Sequence, residues 1–118
     1  MKDDNFYVEQ MLDAMRKIRA YTDDVSLEEF LKNGEKQSAI ILQLIIIGEL
    51  AKKLSNTLKS QTNIPWKQIA GLRDRAVHDY YSLTMKDVWS TVQNDIPVLE
   101  KVLKNSLEEI PEEEREAA

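Results

Sequence analysis

The sequence predicts an all-α fold, an antiparallel up-and-down bundle of four main helices with short helical turns between them. Three observations lead there. Apolar residues recur at steps of three and four over long stretches, the period of a helix with one buried face. The 118 residues hold only 3 Gly and 3 Pro, few for a turn-rich all-β chain of this length. With 42% hydrophobic residues and no Cys, the chain can bury a real core without disulfide staples. A single domain is expected over residues 1–110, followed by an acidic, disordered tail over 111–118.

Asp4 or Asn5 can cap a first helix running to about Tyr21, in which Val8, Met11, Met15 and Ile18 make one apolar stripe. Thr22-Asp23-Asp24 ends it. Ser26-x-x-Glu29 is a capping box before a short helix through Leu31, with Gly34 as its stop. A long second helix is expected from about Lys36 to Leu58, its main stripe being Ile40, Leu44, Ile47, Ala51, Leu54 and Leu58. Ile41, Ile45 and Gly48 form a second stripe there, and Leu42 and Ile46 a third. A helix apolar all round is buried all round, in the bundle centre or at a subunit interface. Gly48 costs such a helix about 1 kcal/mol against Ala, a cost that close approach of a neighbouring helix would offset. Pro65 opens a short turn, Trp66 to Ala70, and Gly71 separates it from a third helix, Leu72 to Tyr80. Thr84 caps the last helix, whose stripe is Met85, Val88, Val92, Ile96, Leu99 and Leu103; Pro97 inside it predicts a kink.

The net charge of −5 sits entirely at the C-terminus, where six Glu and one Arg follow Leu107. The preceding body is neutral and lacks the broad basic face that tracks a duplex, so any phosphate recognition must be local. One His and no Cys exclude a multi-His or Cys-ligated metal site within one chain, and no metal cofactor is expected. There is no N-terminal apolar h-region, and the apolar run Ala39 to Gly48 is too short to span a bilayer, so the cytoplasm is the expected compartment.

Chemistry concentrates in Arg73-Asp74-Arg75-Ala76-Val77-His78-Asp79-Tyr80-Tyr81, where two Arg, two Asp, the sole His and two Tyr share nine residues. On a regular helix Asp74 can hydrogen-bond His78 and orient its ring, four residues on. Arg73 and His78 lie about 140° apart around the axis, so a straight helix does not aim both at one small group. Either Arg73 swings at the helix start, or two chains complete a site jointly. The residue types also fit an ordinary surface: a charge-flanked His, a weak ion pair, and Tyr80 closing the bundle end.

The spacing Arg73-x-x-x-x-His78-x-Tyr80 resembles the Arg-x-x-x-x-His-x-Tyr motif of the HepT-like proteins, minimal HEPN domains. Ile64-Pro65-Trp66-Lys67-Gln68-Ile69-Ala70-Gly71-Leu72 is similar to the family's segment before the motif. Ile47-Gly48-Glu49-Leu50-Ala51 resembles its second helix, and Val88-Trp89 with Asp95-Ile96-Pro97 its last. The resemblance implies a HEPN-like bundle and a metal-independent endoribonuclease, the toxin of a type VII-like toxin–antitoxin pair. It implies Arg73 and His78 as catalytic, Asp74 as the supporting polar residue after the Arg, and Tyr80 as the acceptor of AMP. The AMP donor enzyme would be an MntA-like nucleotidyltransferase antitoxin. The alternative is a non-catalytic HEPN module that binds nucleotide or protein.

The residues suit RNA cleavage. RNA carries its own nucleophile, the 2′-OH, so no protein nucleophile is required. An imidazole can move the proton and a guanidinium can hold the phosphate. One His does not easily serve as both acid and base. A homodimer bringing two copies of Arg73 and His78 to one cleft removes that difficulty, and Ile41, Ile45 and their apolar neighbours on helix 36–58 offer the pairing surface.

Overall fold

The computed structural model describes residues 3–108, and the expected acidic tail over 111–118 lies outside them. Every regular element among the described residues is helical. α1 spans Asp4–Thr22, and its cap is Asp3, whose carboxylate accepts the Phe6 N–H at 3.2 Å, one residue earlier than expected. Asp4 is used elsewhere: its carboxylate accepts the Ser55 N–H at 2.8 Å and the Ser55 hydroxyl at 2.6 Å.

That contact divides the long helix expected over 36–58. α2 spans Leu27–Leu31, α3 spans Gly34–Lys52, and α4 is a separate Asn56–Gln61. In an unbroken helix the Ser55 N–H would bond the Ala51 carbonyl; here it goes to Asp4. The Ser55 hydroxyl then caps α4 by accepting the Leu58 N–H at 3.1 Å. Gly34, expected as a stop, is the first residue of α3, because Asn33 caps the helix by accepting the Lys36 N–H at 3.0 Å. Of the expected capping box, Ser26 caps α2 by accepting the Glu29 N–H at 3.1 Å, and its hydroxyl donates to the Glu29 carboxylate at 3.1 Å.

α5 spans Trp66–His78 without interruption at Gly71. Gly71 is exposed and touches nothing outside its own helix, so it costs about 1 kcal/mol but breaks no packing. Ile69, Leu72 and Ala76 pack into the core on either side and carry the helix across it. α5 ends at His78, two residues before the expected Tyr80. Asp79 leaves helical geometry at φ −150°, ψ 59°, and Tyr80–Ser82 forms a single 3₁₀ turn. Arg75 ties that turn back, donating from Nη2 to the Ser82 carbonyl at 2.8 Å.

α6 spans Met85–Ser90, capped by Thr84 as expected, and α7 spans Ile96–Glu108. Thr91–Asp95 between them is π-helical, with the Ile96 N–H reaching back to the Thr91 carbonyl. Pro97 follows at once. Its ring would strike the carbonyl of Gln93 in a tight α turn and its nitrogen donates no bond, so the widened turn accommodates it.

The core joins the stripes. Val8, Met11, Met15 and Ile18 of α1 meet Ile40 and Ile47 of α3, Phe30 of α2, Val88 of α6 and Leu99 and Leu103 of α7. Phe30 lies against Trp89 with ring centroids 5.1 Å apart. α3 packs on α1, α2 and α5 and is the central helix. It is not buried all round: Leu42 is 54% exposed, and Ile45 and Ile46 are half-buried. Ile41, placed by the sequence at a subunit interface, is 2% exposed and belongs to the core of its own chain. Among the described residues no helix is long and apolar enough to cross a membrane.

Candidate functional site

Arg73 sits where α5 crosses α3. The crossing is close because α3 presents Gly48 there: a Cβ at Gly48 would lie 2.5 Å from Arg73 Cβ and 2.8 Å from its Cγ. The Arg73 stem therefore fills the space of the missing side chain. This is the close approach that a glycine in an apolar helix called for. The Arg73 side chain is only 16% exposed, so it is not the solvent-facing residue that its charge suggests.

Two carboxylates hold the guanidinium. Glu49, next to Gly48 on α3, is in direct contact with Arg73 Nε. Asp74 accepts from Nη1 at 2.8 Å. Lys52, one turn after Glu49, lies 3.9 Å from Glu49 and 3.6 Å from Asp74. Two acids and two bases thus form one neutral cluster on the α3–α5 face. The Asp74 hydrogen bond is the main reason that the Arg73 guanidinium is held charged above its ordinary range, with Glu49 adding to it against the cost of partial burial. The same bond, with Lys52 and Arg73 nearby, lowers the Asp74 carboxyl.

The sign of that shift sets a pH dependence. A carboxyl lowered in the folded state stabilises the fold above the ordinary carboxylate pKa, and the stabilisation is lost as pH falls through the lowered value. The melting temperature of Asp74→Asn should therefore lie below that of the native chain at pH 7, and the gap should close in strong acid. A gap that widens in acid would contradict the pairing.

His78 is the last residue of α5 and is exposed, and its side chain makes no hydrogen bond or ion pair among the described residues. The expected Asp74–His78 hydrogen bond is absent, because Asp74 is turned to Arg73. Asp79 at the helix end then redirects the chain, so that Tyr80 is 39% exposed and Tyr81 is 98% exposed. Their rings meet edge-on with centroids 5.8 Å apart. One stretch of α5 and its C-terminal turn thus carries all four predicted residues. The Arg73 and Asp74 side chains are joined to each other, and neither side chain bonds that of His78 or Tyr80.

Sequence reasoning missed Glu49 and Lys52 as members of this cluster. The signal was a lone carboxylate directly after the glycine of an otherwise apolar run. An apolar cavity of about 400 Å³ lies elsewhere, between Leu44 and Ile47 of α3, Ile69 and Leu72 of α5 and Ile96 and Leu99 of α7. None of the candidate site residues lines it. Among the described residues no group of three His, Cys, Asp or Glu is placed to hold a metal ion.

The family model described as "Ribonuclease HepT-like" matches residues 11–106. The chain is 36% identical over 94 residues to "Probable ribonuclease HepT" of Thermococcus cleftensis, covering 79% of this chain and 86% of that protein. It is 33% identical over 109 residues to a "Putative RNase" of Caldanaerobacter subterraneus subsp. tengcongensis, covering 92% and 97%. It is also 33% identical over 109 residues to a "Putative RNase" of Methanocaldococcus jannaschii, covering 88% and 90%. No solved structure gives a significant match. The helical bundle, the Arg73–His78 spacing on α5 and a family match over nearly the whole described chain agree: this protein belongs to the HepT-like ribonuclease family.

Proposed function

We propose that this chain is a metal-independent endoribonuclease in which Arg73 and His78, contributed jointly by two chains because one straight helix does not aim both at one group, act on one scissile phosphate. The observation that carries the reading is the contrast between them. Arg73 is anchored at a helix crossing with two carboxylates fixing its head, while His78 stands exposed on the same helix. A guanidinium so held can bind a phosphate and stabilise charge growing on its oxygens. An unengaged imidazole can take the 2′-OH proton as the 2′-oxygen attacks phosphorus and the bond to the 5′-oxygen breaks. The leaving oxygen must gain a proton, which the His78 of a second chain can give. The experiment is cleavage of mixed RNA by purified protein with and without EDTA. Cleavage that survives EDTA and is lost in Arg73→Ala supports the reading. Nucleotide binding without cleavage would instead favour a non-catalytic module.

The pairing surface is revised by the fold. With Ile41 buried, the apolar residues available beside the cluster are Leu42 and Ile45 on α3 and Val77 on α5, one turn after Arg73. Val77 is 45% exposed. A homodimer through this face would bring two Arg73–His78 sets to one cleft and cover the apolar groups. Leu42→Asp should then convert the dimer to a monomer in sedimentation velocity and lower cleavage in step. A native chain that stays monomeric at micromolar concentration would refute the dimer.

The same reading assigns the chain to a type VII-like toxin–antitoxin pair, with an MntA-like nucleotidyltransferase transferring AMP to Tyr80. Partial exposure of the phenol, two residues from His78, supports it. An AMP group there adds bulk and an anionic phosphate close to the cluster, competing with RNA for Arg73. Tyr80→Phe should cleave RNA but escape silencing, whereas Tyr81→Phe should remain silenced. Mass spectrometry after co-expression decides it: AMP on the more exposed Tyr81 alone would overturn the assignment.

A further inference from the structure

We infer that Glu49 is a positioning residue for Arg73, and that the Gly48-Glu49 pair on α3 is the seat that aims the guanidinium at RNA. The inference rests on the function proposed above. It goes beyond the Arg–His motif, because Glu49 lies on a different helix.

The geometry separates Glu49 from an ordinary surface ion pair. Gly48 lowers the backbone of α3 so that the Arg73 stem lies on it. The next residue, Glu49, meets Arg73 at Nε, and Asp74 takes Nη1 from another side. A guanidinium has five N–H donors in a rigid plane. Glu49 against Nε and the hydrogen bond from Nη1 to Asp74 orient that plane, and the remaining three donors, both on Nη2 among them, make no hydrogen bond among the described residues. Those three donors match the planar, two-pronged recognition of a phosphate. Asp74 cannot do this alone. It is the neighbour of Arg73 on the same helix and would follow the side chain through several rotamers, whereas Glu49 ties the head to a second helix.

Electrostatics points the other way and makes the idea testable. Glu49 is an anion close to the site proposed for RNA, and it is 44% exposed. By charge alone it repels the substrate, and Lys52 at 3.9 Å offsets that only in part. If Glu49 were incidental, removing it would strengthen binding and raise activity. If it orients Arg73, removing it lowers turnover even as repulsion falls, because a misaligned group costs rate in the transition state.

The test is steady-state cleavage of one defined RNA by native chain, Glu49→Ala, Glu49→Gln and Arg73→Ala, each checked for helicity and melting temperature. Glu49→Ala should lower kcat by about 10–100-fold with KM unchanged or reduced. Glu49→Gln, whose amide keeps the side chain's length and an acceptor oxygen beside Nε, should recover most of that loss. Loss in both variants with no rescue, or a rise in kcat/KM on losing the charge, overturns the positioning role. If Arg73→Ala is inactive and Glu49→Ala is fully active, this inference alone falls. If Arg73→Ala cleaves at the native rate, the proposed function falls with it.

Discussion

His78→Ala should abolish RNA cleavage, by about 10²–10⁴-fold, while leaving the melting temperature where it was. The expectation follows from where α5 ends. His78 is exposed at the last helical position and its side chain bonds to nothing else among the described residues, so its removal opens no cavity and strands no partner. Exposed substitutions of that kind stay within about 0.5 kcal/mol of the native stability. A large loss of activity without loss of fold is therefore the signature of a chemical role. Single-turnover cleavage with a thermal melt of the same preparation gives both readings. Cleavage by His78→Ala at the native rate would remove His78 from the mechanism. A large drop in melting temperature would show instead that the imidazole is structural.

Gly48→Ala should damage both fold and activity, although glycine to alanine in a helix ordinarily stabilises by about 1 kcal/mol. The new Cβ would stand 2.5 Å from Arg73 Cβ, closer than packed carbons come. Neither atom can rotate away, since each is fixed to its own backbone. α5 must lift off α3, or Arg73 must leave its seat. Overpacking of this kind costs about 1–3 kcal/mol. Lifting α5 also separates Arg73 from Glu49, so cleavage should fall by about 100-fold, the loss expected for a group misplaced by about 1 Å. Gly71→Ala is the built-in comparison. It lies on α5 with open space around it, and should be neutral or stabilising with full activity. Equal behaviour of the two variants would show that the crossing at Gly48 has no bearing on Arg73.

Much of this molecule was readable from residue order. The stripe Val8, Met11, Met15, Ile18 is buried as its spacing requires, and Ser26 and Thr84 cap the helices that they precede. These features depend on residues within one or two turns of each other, which is the range over which helical period and capping act. Gly48 was legible for a related reason: a glycine in an apolar helix has a cost that some neighbour must offset. The Arg73–His78 spacing was visible as a motif, and so was their failure to share one face of a helix.

The errors lie where a distant residue outbid a local preference. The helix expected to reach Leu58 stops at Lys52 because Asp4, 51 residues earlier in the chain, takes the N–H of Ser55. α5 continues through Gly71 because packing on both sides outweighs a weak propensity. Ile41 was assigned to a partner chain and proved to be core, since a stripe records that a face is covered and not by which element. Asp74 was matched to His78 by spacing, yet a guanidinium one residue away offered a stronger, charge-assisted bond. Helix type, caps and the chemical motif are local properties and can be read along the chain. The break between α3 and α4, the seat of Arg73 and the Glu49 that grips it arise from contacts between helices, which follow from how the bundle packs and not from the order of neighbouring residues.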